Sequence, residues 1–226
     1  MTQLSESLDI TLRTLGVALL ATLFVMCATI PLAYILARRD FFGKELMAAL
    51  LMLPLVLPPT AVGVLLLVLL SPSGPLGVSG LQWGVLFTWR AAVIASAVMA
   101  FPLALRTARV AFDGVDSRLE TMASSLGYSP IRRFFTVTLP LASRGLIAAA
   151  ILAFLRSVGE YGATVMIAGN IPGQTQTLAL AIEAKQAAGR LGDALFYAGV
   201  AVGVGLGALL IAERLLGRPR ACRESP

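Results

Sequence analysis

The chain has 226 residues, 58% hydrophobic and 13% charged, with a net charge of +6 and no histidine. Such a composition excludes an ordinary soluble domain. The missing histidine removes imidazole acid–base chemistry, haem ligation and most zinc sites. Cys27 and Cys222 have no metal-ligand spacing and read as incidental.

Glu6 and Asp9 precede the first apolar run, so the N-terminus lacks the basic region of a cleaved signal peptide. Between Arg13 and Arg38 lie 24 residues without an acidic or basic side chain. As a helix that run is about 36 Å long, enough for one crossing, and a span is predicted over 12–37. Between Glu45 and Arg90 lie 44 more such residues, roughly 66 Å of helix. That is two crossings, and the turn cluster Ser71-Pro72-Ser73-Gly74-Pro75 divides them into spans at 46–70 and 84–109.

The 46–70 span contains Pro54, Pro58 and Pro59 in MLPLVLPPTAVG, so it should kink or unwind locally. The bend either lines a translocation path or is absorbed by neighbouring helices. Next comes a polar, basic segment at 110–140, then a span at 141–168 that contains Arg156 and Glu160. Four residues apart, these two share a helix face and can pair. They sit roughly 18 and 24 Å along the axis from Arg144, where an isolated charge is costly. The pair either orients the helix or flanks a permeation path. The last span, 191–213, carries Gly199, Gly203 and Gly207, a small-residue stripe suited to helix packing. A basic tail, 216–226, follows.

Five spans place the termini on opposite sides of the membrane. Three of the arginines and lysines fall in the first loop, six in or beside the third, and four in the tail. These thirteen face Arg13, Lys185 and Arg190 on the other side, so the thirteen mark the cytoplasm. The N-terminus is therefore expected outside and the tail inside, where its arginines can touch anionic lipid headgroups. No basic–aromatic module accompanies the charge, which argues against a nucleic-acid partner.

The stretch Arg118–Pro140, RLETMASSLGYSPIRRFFTVTLP, resembles the cytoplasmic coupling motif of ABC-importer permeases. A helix over Glu120–Leu126 leads to Gly127, which suits a left-handed C-cap, and Pro130 suits the first turn of a following helix. Thr121 and Met122 depart from the common E-A-A core, while Glu120 and Ala123 remain. The block Leu155–Thr177, LRSVGEYGATVMIAGNIPGQTQT, with PLAYILARRDFFGK and LPLVLPPTAVG, resembles the permease subunits of molybdate ABC importers over about residues 10–215.

The resemblance implies an all-α, MetI-like type I ABC transmembrane fold with five transmembrane helices, used as a homodimer. It implies cytoplasmic ABC ATPase subunits that bind ATP and Mg, and an extracytoplasmic molybdate-binding protein. It also implies ATPase coupling by Glu120, Thr121, Ala123, Gly127, Pro130 and Pro140, and path or gate candidates at Pro58, Pro59, Arg156, Glu160 and Tyr161. The chain carries no G-x-x-x-x-G-K-[ST] phosphate loop, so no nucleotide or other cofactor is expected on it. Expected cargo is molybdate, with tungstate as a dianion of nearly equal size. A sulfate or thiosulfate permease and a secondary anion transporter are the alternatives, the latter short of internal repeats.

Overall fold

Helix α1, Thr2–Arg38, runs parallel to α4, Trp89–Asp113, and this pairing organises the molecule. The computed structural model describes residues 2–75 and 84–217, with side chains from Ser5 onward. Val17 and Ala21 of α1 pack with Ala91–Met99, Val25 with Ala100 and Ala104, and Ala33 and Leu36 with Leu105–Phe112. The contacts advance along both helices in the same direction, so both start at the Arg13 end and finish at the Arg38 end. Many of the residues involved are alanines, which let helices approach closely where lipid offers no hydrophobic drive. Thr11, Thr14 and Thr22 return their hydroxyls to carbonyls one turn back, hiding polar atoms in an apolar helix.

Two parallel helices require the chain between them to travel back. That return is made by α2, Lys44–Val56, and α3, Pro59–Leu70, which meet at a 111° bend. The predicted 46–70 span is therefore a broken crossing rather than one kinked helix. Leu57 and Pro58 are extended at the break, and Pro59 opens the next helix at a position that needs no N–H. The turn at Ser71–Pro75 forms as expected, with the Gly74 N–H on the Ser71 carbonyl. The third span starts at Trp89 and reaches Asp113, further along than 84–109.

Helix α7, Leu139–Val158, runs antiparallel to α4, with Ala142, Leu146 and Ala149 against Leu105–Phe112 and Ala153 against Ala100. The expected 141–168 span is likewise interrupted. It stops at Val158 and resumes as α8, Gly162–Ala168, leaving Glu160 in the gap rather than on the helix. Helix α9, Leu178–Ala187, lies against the start of α1, where the Leu178 N–H donates to the buried Thr14 hydroxyl at 2.9 Å. Helix α10, Leu191–Leu216, begins at that same end, with Tyr197 against Ile10 and Leu178. Its 26 residues extend about 39 Å, so Ser5 and Gly217 lie toward opposite ends of the bundle.

Along the Gly199, Gly203 and Gly207 stripe, no atom of another described segment lies within 4 Å of where a Cβ would stand. The close helix approach expected there is not made within one chain. Cys27 is an exposed free thiol on α1. Arg218, Arg220, Cys222 and Arg223 of the tail lie outside the described residues.

The short second halves of the two broken crossings pack on each other through glycine. A Cβ on Gly162 would stand 2.7 Å from the Pro59 Cβ, and one on Gly63 would stand 2.9 Å from the Ala163 Cα. Gly63→Val and Gly162→Val are each expected to lose about 1–3 kcal/mol by overpacking. Thermal unfolding of the purified protein, followed by size-exclusion chromatography, checks this. An unchanged melting profile in either variant would show that the contact yields freely.

Candidate functional site

Two regions gather the residues singled out in the sequence. The first lies where the two breaks meet. Arg156, in the last turn of α7, places Nη1 2.6 Å from Oε2 of Glu160, whose side chain is 1% exposed. The other carboxylate oxygen accepts the Ala163 N–H at 2.9 Å. Glu160 therefore bridges the gap, holding the final turn of α7 and the first turn of α8. Both placements agree with the helix dipoles, a cation at a C-terminus and an anion at an N-terminus. The pairing expected from the four-residue spacing forms, although a helical turn does not supply it.

Tyr161 caps α8 with its backbone and bonds the Val165 N–H through its carbonyl. Pro58 and Pro59 are exposed on the surface of the single chain, and Pro59 abuts Gly162. The structure thus brings Pro59, Tyr161, Glu160 and Arg156 into one locality where two crossings lose helical continuity. Discontinuous helices at mid-membrane depth leave polar backbone available to line a path.

The second region is at the Arg38 end. Helix α5, Ser117–Ser125, starts three residues earlier than expected because Asp116 caps it, accepting the Arg118 N–H at 2.9 Å. It ends in a Schellman motif. The Tyr128 N–H reaches the Ala123 carbonyl, the Gly127 N–H reaches the Ser124 carbonyl, and Gly127 has φ +82°. Ser129 then caps α6, Pro130–Arg133, with Pro130 at its first turn. The left-handed glycine and the proline start expected from the sequence are both present.

Pro140 does not start a separate helix. Helix α6 passes through a π-helical stretch, Phe134–Thr138, directly into α7. Pro140 cannot donate to the carbonyl one turn back, and the wider turn before it takes up that missing bond.

Glu120 is held from two directions. Its Oε1 accepts the Thr138 hydroxyl at 2.8 Å and lies 3.2 Å from Arg38 Nε. Arg38 also donates through Nη2 to the Val115 carbonyl at 2.6 Å. Arg38 and Thr138 were counted in the sequence only as loop charge and linker, since no local spacing joins positions 18 and 82 residues from Glu120. Ala123 faces inward and is buried, whereas Thr121 is exposed and returns its hydroxyl to the Ser117 carbonyl.

The outward face of this knob is apolar. Leu119, Met122, Leu126, Ile131 and Phe135 are all exposed, with Leu126 at 77% and Ile131 at 73%. In a polar, arginine-bearing segment, these exposed apolar side chains stand out.

Apolar crossings joined by small residues, two of them broken in mid-course, with a structured knob at one end, define a membrane-transport subunit. The chain belongs to the family of binding-protein-dependent transport system inner membrane components, the permease subunits of ABC importers, whose model matches residues 29–218. It is 44% identical over 218 residues to the molybdenum transport system permease protein ModB of Escherichia coli K12, covering 94% of this chain and 95% of that one. It is 36% identical to the molybdate/tungstate transport system permease protein WtpB of Pyrococcus abyssi, over 62% of this chain and 52% of that one. A crystal structure of an amino acid ABC transporter shares the fold, with a TM-score of 0.60 at 16% identity over 94% of this chain and 91% of that one.

Proposed function

We propose that this permease carries molybdate, and the similarly sized tungstate, into the cell as one of two identical membrane subunits. The observation that carries the cargo reading is the 44% identity to a molybdenum permease across nearly the whole of both chains. The broken crossings would supply the path, with Pro58, Pro59, Tyr161, Arg156 and Glu160 beside it. A binding protein would deliver the anion at the Arg13 end.

A separate ATPase, carrying ATP and Mg, would dock on the knob at the Arg38 end, where the exposed apolar face offers it a seat. Glu120, Thr121, Ala123, Gly127, Pro130 and Pro140 shape that knob, and Arg38 and Thr138 tie it to the bundle. The charge asymmetry supports placing the Arg38 end in the cytoplasm.

Uptake of radiolabelled molybdate, tungstate and sulfate is the direct test, using proteoliposomes that hold the permease, ATPase and binding protein. Molybdate and tungstate uptake that depends on ATP and on binding protein is expected, with sulfate excluded. Sulfate uptake without molybdate uptake would reassign the cargo. Orientation is checked by labelling cysteines placed at Ser5 and Ser225 with an impermeant reagent. Reaction of both from one side would refute the topology.

A further inference from the structure

Four cations belong to the Arg13 end, and two of them are neutralised. Lys185 pairs with Glu6 across α9 and α1, and Arg190 pairs with Asp193. Arg13 and Arg90 have no carboxylate partner among the described residues, and residues 46–89 contain no acidic side chain at all. These two unpaired arginines line the same cavity, about 580 Å³ in volume, together with Thr88, Trp89, Gly173 and Gln174.

Nη1 of Arg13 is buried with no hydrogen-bond partner among the described residues. A buried guanidinium nitrogen without an acceptor is destabilising, and an oxyanion would supply the acceptor. Arg90 is exposed, with its guanidinium carbon 5.7 Å from the centre of the Trp89 ring. The ring steadies the charge without consuming its donors. Thr88 already donates to the Val85 carbonyl at 2.5 Å, so the Gln174 amide and the Trp89 indole N–H are the further side-chain donors on the lining.

The wall carrying Gln174 is built to hold its shape. Thr175 Oγ1 accepts the Ile171 N–H and donates to the Gly169 carbonyl, while Gln176 donates to Asn170 and Asn170 to the Leu180 carbonyl. Thr175, Gln176 and Thr177 are buried beneath the tip, and Gly173 turns the chain at φ +79°. This gives the GNIPGQTQT stretch a structural purpose. It braces one side of a cationic chamber.

We propose that this cavity is a receiving site for a tetrahedral oxyanion on the Arg13 face, with Arg13 and Arg90 as its charge-bearing ligands. The proposal rests on the reading of the chain as an oxyanion permease. Two guanidiniums match a dianion, and an open chamber lets the anion leave again, as passage requires. A lipid phosphate headgroup offers the same chemistry, so the test must separate the two sources.

The test uses the permease–ATPase complex without binding protein, in discs of neutral or anionic lipid, with radiolabelled molybdate measured by equilibrium dialysis. Saturable binding is expected in both disc types, for the native protein and for Lys185→Gln. Arg13→Gln and Arg90→Gln should each weaken it about tenfold or more, through loss of a charge-assisted contact. Arg13→Lys and Arg90→Lys keep the charge and should retain most of the binding, which guards against misfolding as the cause.

Absent binding, or equal binding in both Gln variants, overturns the site. Binding abolished by anionic lipid assigns the arginines to headgroups and also overturns it. So does unchanged molybdate binding accompanied by weaker association of the binding protein. In complete vesicles, molybdate uptake alongside unaltered binding in the Gln variants rejects the site and spares the cargo. Sulfate uptake alone rejects the cargo, and with it the assignment to molybdate.

Discussion

Arg156→Ala is expected to destabilise the protein by about 3–5 kcal/mol, because it strands a carboxylate that is almost fully buried. Glu160→Ala should be somewhat milder. The Arg156 side chain is 28% exposed and so less completely enclosed than the carboxylate, although the Ala163 N–H loses its acceptor. Replacing both by leucine removes the charge mismatch but not the lost cap. The double variant should therefore recover most of the folding and still fall about 1 kcal/mol short, the usual cost of losing an N-cap acceptor.

Melting temperature and monodisperse yield check this, with the native protein, Arg156→Leu, Glu160→Leu and the double leucine variant forming a double-mutant cycle beside the two alanine variants. Strictly additive losses would show that the two residues do not act together. Uptake measured on the recovered double variant then separates structure from transport. Recovered folding without uptake places the pair beside the anion path, and recovery of both makes it a brace between α7 and α8.

Gly127→Val should abolish most transport while leaving insertion and bundle stability intact. At φ +82° a side chain meets no neighbour within 4 Å among the described residues, so the penalty is one of backbone conformation and not of collision. A left-handed conformation disfavours an ordinary residue by about 1–2 kcal/mol, and a β-branched one more. That is too little to unfold the crossings but enough to undo a nine-residue helix end whose last carbonyls depend on this turn. Asparagine tolerates the conformation, so Gly127→Asn should keep a large share of the uptake. ATP hydrolysis and molybdate uptake measured together distinguish the outcomes. Normal uptake in Gly127→Val would show that the knob does not need its shape.

How far the sequence reveals this molecule depends on how local each interaction is. Gly127 and Pro130 were legible because a left-handed C-cap and a proline start are properties of single residues within a turn. The Arg156–Glu160 pair was legible from spacing, yet the break between α7 and α8 was not. Gly159 alone lowers helix stability by only about 1 kcal/mol, and the gap is held open by where Glu160 finds its partners. Pro58-Pro59 announced a bend in the second crossing. Its 111° size was beyond reach, because it depends on α3 docking against α8 through Gly63 and Gly162. Arg38 and Glu120 lie 82 positions apart, and nothing near either one names the other.

That same remoteness has a consequence for how the protein is made. The hydrogen bond from Leu178 to Thr14 joins positions 164 residues apart, and Lys185 meets Glu6 across 179. At a synthesis rate of about 5–20 residues per second, Thr14 waits roughly 8–33 s before Leu178 is made. Within that interval α4 can already cover the rest of α1, while the turns around Ile10 and Thr14 have no partner from α9 or α10. Assembly of the first helix is thus completed among the last events of synthesis, and a chain truncated before α9 leaves the start of α1 without its mate.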